Sequence, residues 1–183
     1  MAFADDNLFV SATGYIYTAE PGTAVALTDF DPDVFGITDE SAWKPVGATS
    51  EEDLPEFGYE GGDTQSLSTW QKKNIRQIST EAPVDYVTWK TQAITKENLA
   101  LYYGPNASTD PKRFGIDIPG KTVQKAILIV LVDGDDVIGF TAAQAAVGRD
   151  ESATLATDGF TTFPTRATFE KRTGSRLFEW ILP

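Results

Sequence analysis

Neither cysteine nor histidine occurs anywhere in the 183 residues. The first absence excludes disulfides, thiolate metal sites and cysteine nucleophiles, and with them a disulfide-based secreted scaffold. The second removes the commonest general base and the commonest metal ligand, so Ser-His-Asp and Cys-His catalysis and ordinary zinc chemistry are excluded too. Positive charge is also scarce, with 15 Lys and Arg against 27 Asp and Glu and a net charge of −12. A field of that sign keeps the chain soluble and repels nucleic acid, which argues against phosphate-tracking or base-reading DNA binding. Long apolar runs are missing. The longest, Ala126 to Val132, has the length of a strand and falls far short of the ~20 residues of a membrane span, so no membrane insertion is expected. The N-terminal MAFADDNLFVSATG has two acids and no basic residue before its short apolar patch, unlike a secretory signal, which predicts a protein made and used in cytoplasm. Glycine-rich phosphate motifs, internal repeats, low-complexity tracts and a domain linker are absent as well. What remains is one domain, 1–183, long enough to bury roughly 70% of its unfolded surface, with no catalytic kit and no expected cofactor.

The richest stretch is 82–104, APVDYVTWKTQAITKENLALYYG. Val84, Tyr86 and Thr88 alternate with Asp85, Val87, Trp89, Thr91 and Ala93, and β-branched and aromatic types fill both sets, which predicts a strand with no wholly polar face. Thr95 then stands at an N-cap position, Glu97 falls in the first turn, and Gly104 with Pro105 stops the run, so a short helix is expected at about 95–104 with Leu99, Ala100 and Tyr103 on its apolar stripe.

Around that unit the chain alternates strands with turn-rich excursions. Residues 1–13 form an N-terminal arm that would order on a neighbour or fray. Residues 14–19 read as a first strand, 42–48 as a second, and the segments 20–42 and 49–63 as long loops. In the first loop Asp29, Asp31, Asp33 and Glu40 have the spacing of a calcium loop. Val34, however, occupies the position where that turn needs glycine, and Pro32 restricts the backbone, so a solvated acidic loop is the expectation. In the second loop Glu51, Glu52, Asp53 and Glu56 are interleaved with Leu54, Phe57 and Tyr59, a density of apolar residues that fits either partner contact or folding back on the domain. The basic cluster Lys72, Lys73 and Arg76 offers a surface of opposite sign, and copies could close into a ring by matching the two.

The C-terminal half reads as β. TVQKAILIVLV (122–132) is apolar on both faces, which demands either a two-layer β architecture or burial by a neighbouring subunit. Asp133-Gly134 signals a hairpin, and the Ala-rich 136–148 segment, helical by propensity, is assigned to the returning strand. Residues 160–171 alternate, with Phe163, Thr165, Ala167 and Phe169 on the buried face. After a turn, 177–182 forms the last strand, with Phe178 and Trp180 sharing a face.

The 82–104 unit, together with GYIYTAEPGTA (14–24), TWQKKNIRQIST (69–80) and the β-rich C-terminal half, resembles the major tail proteins of long-tailed bacteriophages, especially those of actinobacterial hosts. The resemblance is one of pattern and order over most of the chain. It implies a mainly β fold, a β-sandwich or half-barrel with one short helix and long loops. It also implies a virion tail component, assembled in the host cytoplasm from hexameric rings stacked into a tube. Tape-measure and tail terminator or initiator proteins would be its partners, and genomic DNA would pass through as cargo. On that reading Glu51, Glu52, Asp53, Glu56, Phe57 and Tyr59 are candidates for inter-ring contact. Lys72, Lys73 and Arg76 are candidates for ring closure, and Asp85 and Glu170 for the lumen. Two other readings fit the composition: a monomeric β-sandwich module presenting Tyr15, Tyr17, Trp70 or Trp89 to a carbohydrate or protein, and another phage or secretion structural part of the same fold, such as a head-to-tail connector or a type VI secretion tube.

Overall fold

The computed structural model describes residues 9, 11–28, 30–36, 38, 40–79 and 81–183. In chain order the elements are β1 (Thr13–Ala19), β2 (Lys44–Pro45), β3 (Glu56–Glu60), β4 (Thr64–Leu67), β5 (Arg76–Ser79), β6 (Val84–Thr91), α1 (Lys96–Tyr103), β7 (Val123–Asp133), β8 (Asp136–Arg149), β9 (Phe163–Phe169) and β10 (Glu179–Ile181). The main sheet is antiparallel, in the order β2-β1-β7-β8-β9-β6-β3, with β10 added to β8; among the described residues β4 and β5 pair only with each other.

The doubly apolar run builds the centre. β7 and β8 are joined by the two-residue turn Gly134-Asp135, where Gly134 takes a φ of 61° that suits glycine, and Asp133 faces Asp136 across it. The Ala-rich segment is strand, as expected, because β7 and β9 hold it on both sides and tertiary pairing overrides helix propensity. One face of β7 sends Ile127 and Ile129 into a core with Val87, Trp89, Phe140, Val147 and Ala167. The other sends Ala126, Leu128 and Val130 against Tyr17 and Trp43.

That second face is covered from within the chain. Val25, Leu27, Phe30 and Phe35 of the 20–42 loop fold over it, and the Trp43 indole N–H donates to the Ala24 carbonyl at 3.0 Å. Tyr17 lies beneath them, its ring 4.9 Å from that of Phe35, and burial, with Tyr15 nearby, pushes its hydroxyl up to about 12.

The ends of the sheet are tied together by 46–50. Val46 N–H donates to the Ile16 carbonyl at 2.8 Å, Ser50 N–H to the Lys90 carbonyl at 2.9 Å, and Gln92 N–H to the Ala48 carbonyl at 2.9 Å. The sheet therefore wraps into a barrel-like sandwich, and α1 packs on β8 and β9.

Three expectations need correction. The 49–63 loop contains β3, which pairs with β6 from Glu56↔Thr88 to Glu60↔Val84. Glu and Gly weaken its local strand propensity, and a partner distant in sequence supplies the pairing. The second strand, expected over 42–48, contracts to Lys44–Pro45 because only Tyr17 and Thr18 of β1 lie opposite it. The helix has its expected caps, Thr95 accepting from Asn98 N–H and Gly104 donating to the Ala100 carbonyl. It buries Asn98, Leu101 and Tyr102, however, in place of the stripe of Leu99, Ala100 and Tyr103. The rotation follows from Asn98, whose side-chain amide donates to the carbonyls of Val46 at 2.7 Å and Ala93 at 2.9 Å. Of the N-terminal arm, residues 1–8 and 10 lie outside the described residues, as does Asp29 of the calcium-like spacing.

Candidate assembly interface

The surface divides into an acidic ledge and a basic arm, joined end to end by the chain. The ledge runs from Glu51 through β3. Ser50 begins it by accepting from Asp53 N–H at 3.2 Å, and Asp53 is paired with Lys90 of β6 at 2.7 Å. That contact raises the Lys90 ammonium above its ordinary value, the hydrogen bond to Asp53 being the main cause. At the other end Glu60 accepts from Arg166 of β9 at 2.8 Å, and its carboxyl is held below the ordinary range by that hydrogen bond first. Of the expected inter-ring residues, Glu51, Glu52, Asp53, Glu56 and Tyr59 are exposed. Phe57 is exposed as well, at 44%, with its ring 4.6 Å from Phe140 and 5.5 Å from Trp180.

The arm continues β3 and β6 outward. Gly61 and Gly62, at φ 73° and 77°, join it to β3, and a Cβ on Gly61 would stand 2.9 Å from the Ala82 carbonyl. Beyond this joint Thr64–Leu67 and Arg76–Ser79 form a two-stranded ladder. The tip is fastened by its own hydrogen bonds: Asn74 N–H to Ser68 Oγ at 3.0 Å, Lys72 N–H to Thr69 Oγ1 at 3.2 Å, and Ile75 N–H to the Leu67 carbonyl at 2.9 Å. Trp70 at the apex is 97% exposed, and Lys72, Lys73 and Arg76 are exposed beside it. Residues 64–79 carry these three positive charges and no acid. The composition hinted at a basic cluster; only the ladder shows that it is a preformed lever.

The two lumen candidates sit in different settings. Glu170 is half-buried just past β9 and accepts from Gln144 at 3.0 Å and Gln124 at 3.3 Å. Asp85 has the alternation of the buried Val87 and Trp89, at the end of β6 opposite Tyr59. Among the aromatics considered for carbohydrate, Tyr17 and Trp89 are buried at 1% and 2% and Tyr15 is partly buried against Phe30, which leaves Trp70 without a platform of partners. Among the described residues no group of acidic side chains converges as a metal site, and no helix is long and apolar enough to cross a membrane.

Sheet edges, a free arm and surfaces of opposite sign are what a self-assembling subunit presents. Comparison with known proteins decides the family, since residues 1–183 match the phage tail tube proteins throughout. The chain belongs to that family. The tail tube protein is 42% identical over 187 residues to the major tail protein Gp23 of Mycobacterium phage D29, covering 99% of this chain and 93% of the relative. It is 40% identical over 188 residues to the major tail protein Gp23 of Mycobacterium phage L5, with the same coverage of both. The tail tube protein is thus a structural component of the phage virion, not an enzyme, and it self-assembles into the tail tube.

Proposed function

We propose that the tail tube protein forms hexameric rings that stack into a hollow tube with a negatively charged bore, through which the genome passes on infection. The observation that carries this reading is the basic arm. A two-stranded ladder standing alone is marginal in water, yet this one is fastened at its tip and holds an indole almost wholly in solvent. Such a lever is built for a neighbour, and the ledge of another copy has the complementary charge. Lys72, Lys73 and Arg76 then join copies through the ledge of Glu51, Glu52, Asp53, Glu56, Phe57 and Tyr59.

The sheet supports the same reading. Among the described residues β3 has no strand on its outer side in the strand order, and β2 covers only Tyr17 and Thr18 of β1. Open edges are pairing liabilities, and ring closure satisfies them by continuing the sheet across copies. Six copies at −12 each carry −72. A bore lined with part of that charge, with Asp85 and Glu170 as candidates, keeps phosphates from adhering over a screening distance of ~8 Å. DNA is cargo here, while tape-measure, terminator and initiator proteins meet the tube at its bore and ends.

Size-exclusion chromatography with light scattering, followed by negative-stain microscopy of the high-mass fraction, tests this. Tubes with six-fold rings are expected. Rings of another order, or a fraction without tubes, would overturn it.

A further inference from the structure

Resting on the tube reading, we propose that Trp70 of one copy seats in an apolar cleft beside Leu54 of the next, while Lys72 and Lys73 enter an acidic cleft on the other side of Leu54. The first cleft has a volume of about 220 Å³ and is walled by Ile16, Ile129, Leu131, Leu54, Pro55 and Phe57. A dry cavity of about 150 Å³ accepts a benzene ring, so the bicyclic indole fits the larger space. The second cleft, of about 180 Å³, is bordered by Asp53, Glu56, Asp150 and Glu151 with Lys90, so four carboxylates against one ammonium leave it at −3. The arm carries +3 from Lys72, Lys73 and Arg76. Leu54, 60% exposed, borders both clefts and divides the apolar side from the acidic one.

The spacing on the arm matches this division. Trp70 precedes Lys72 and Lys73 by two and three residues, and the hydrogen bonds at Thr69 and Ser68 fix the tip before any partner arrives. A preformed tip loses little freedom on docking, and a Trp seated in a pocket ringed by charge pairs is the composition of a binding hot spot. A larger groove, below α1, is a poorer match: its Lys44 and Lys125 are balanced by Glu20 and Glu97, and a basic arm gains nothing there.

The absence of native cysteine makes the test direct. Chains bearing Trp70→Cys and Leu54→Cys, one of them mass-tagged, are mixed and oxidised. The mixed covalent dimer is expected in several-fold excess over that formed by Trp70→Cys with Ile118→Cys, which places the second thiol at an exposed site that lines neither cleft. Equal yields would overturn the docking. In parallel, Trp70→Ala is expected to raise the concentration needed for pelletable polymer by at least about tenfold, with Trp70→Phe in between. Circular dichroism is expected to show that the substitution, at a position 97% exposed, leaves the fold intact. Wild-type tubes that Trp70→Ala forms equally well would sink this inference and leave the tube reading standing. Soluble rings of the unmodified chain that never elongate, with the cross-link present, would sink the tube reading and leave the docking.

Discussion

The guanidinium of Arg166 lies over the ring of Tyr86, 3.7 Å from its centroid. Tyr86 is in turn pressed on Gly58 of β3, where an added Cβ would stand 2.5 Å from the ring's Cζ. Three strands are thus fastened by one stack: the cation from β9, the ring from β6 and the bare backbone from β3. Gly58→Ala must push the ring off its seat and disturb the cation above it. An overpacking cost of about 1–3 kcal/mol is expected, read as a lower urea midpoint with an unchanged m-value. Gly159→Ala, where φ is likewise outside the left-handed region and a Cβ meets only Ala156 at 3.8 Å, isolates the backbone component for comparison.

The same arginine sets an acid limit on the β3 edge. Glu60 is held below its ordinary value by the hydrogen bond from Arg166. A carboxyl depressed in the folded state contributes stability that is present above its unfolded value and lost as pH falls through its folded one. The melting temperature should therefore fall as pH drops below the ordinary carboxylate value of 4.5. Glu60→Gln should remove part of that slope while changing little at neutral pH, where the pair is exposed and weak. Parallel slopes for the two proteins would show that Arg166 and Glu60 do not couple to folding.

Asp53 and Lys90 form the second clasp on the ledge, at 2.7 Å. Lys90→Met removes the partner and leaves Ser50 as the remaining tether, through the Asp53 N–H. Amide exchange in 51–55 should accelerate while exchange in β7 and β8 stays unchanged, because opening the ledge breaks no core contact. Faster exchange across the whole chain would mean that the ledge belongs to the cooperative core.

How these features appeared in the sequence depended on how local their causes are. Thr95 and Gly104 mark the helix because caps are made within a turn, and Asp133-Gly134 marks the hairpin for the same reason. The doubly apolar β7 demanded cover on both faces, from a second β layer or a neighbouring subunit, and the chain supplies it from within. That part of this cover is the 20–42 loop was hidden among turn formers, since Phe30 and Phe35 show no strand or helix period. β3 was illegible because Glu56, Gly58 and Glu60 disfavour a strand that β6 then imposes. The ledge and the arm were both visible as charge clusters. Their clefts were not, since Ile16, Leu131 and Asp150 reach Leu54 only through the wrap of the sheet.

Asn98 is the position where pattern reading and structure part most sharply, and it yields the strongest stability prediction. Its amide ties α1 to Val46, in the segment that closes the sheet, and to Ala93 at the helix entrance. Both carbonyls need a donor, and Asn98 itself is 6% exposed, so water cannot readily replace the amide. Asn98→Ala should cost about 1–3 kcal/mol for each carbonyl left unpaired. Asn98→Asp keeps the size but sets acceptors against acceptors, so it should be at least as damaging at neutral pH and partly recover as the carboxyl protonates in acid. Chemical unfolding at pH 7 and pH 4 separates the two variants. If Asn98→Leu proves as stable as the native chain, the amide is dispensable to closure of the sheet.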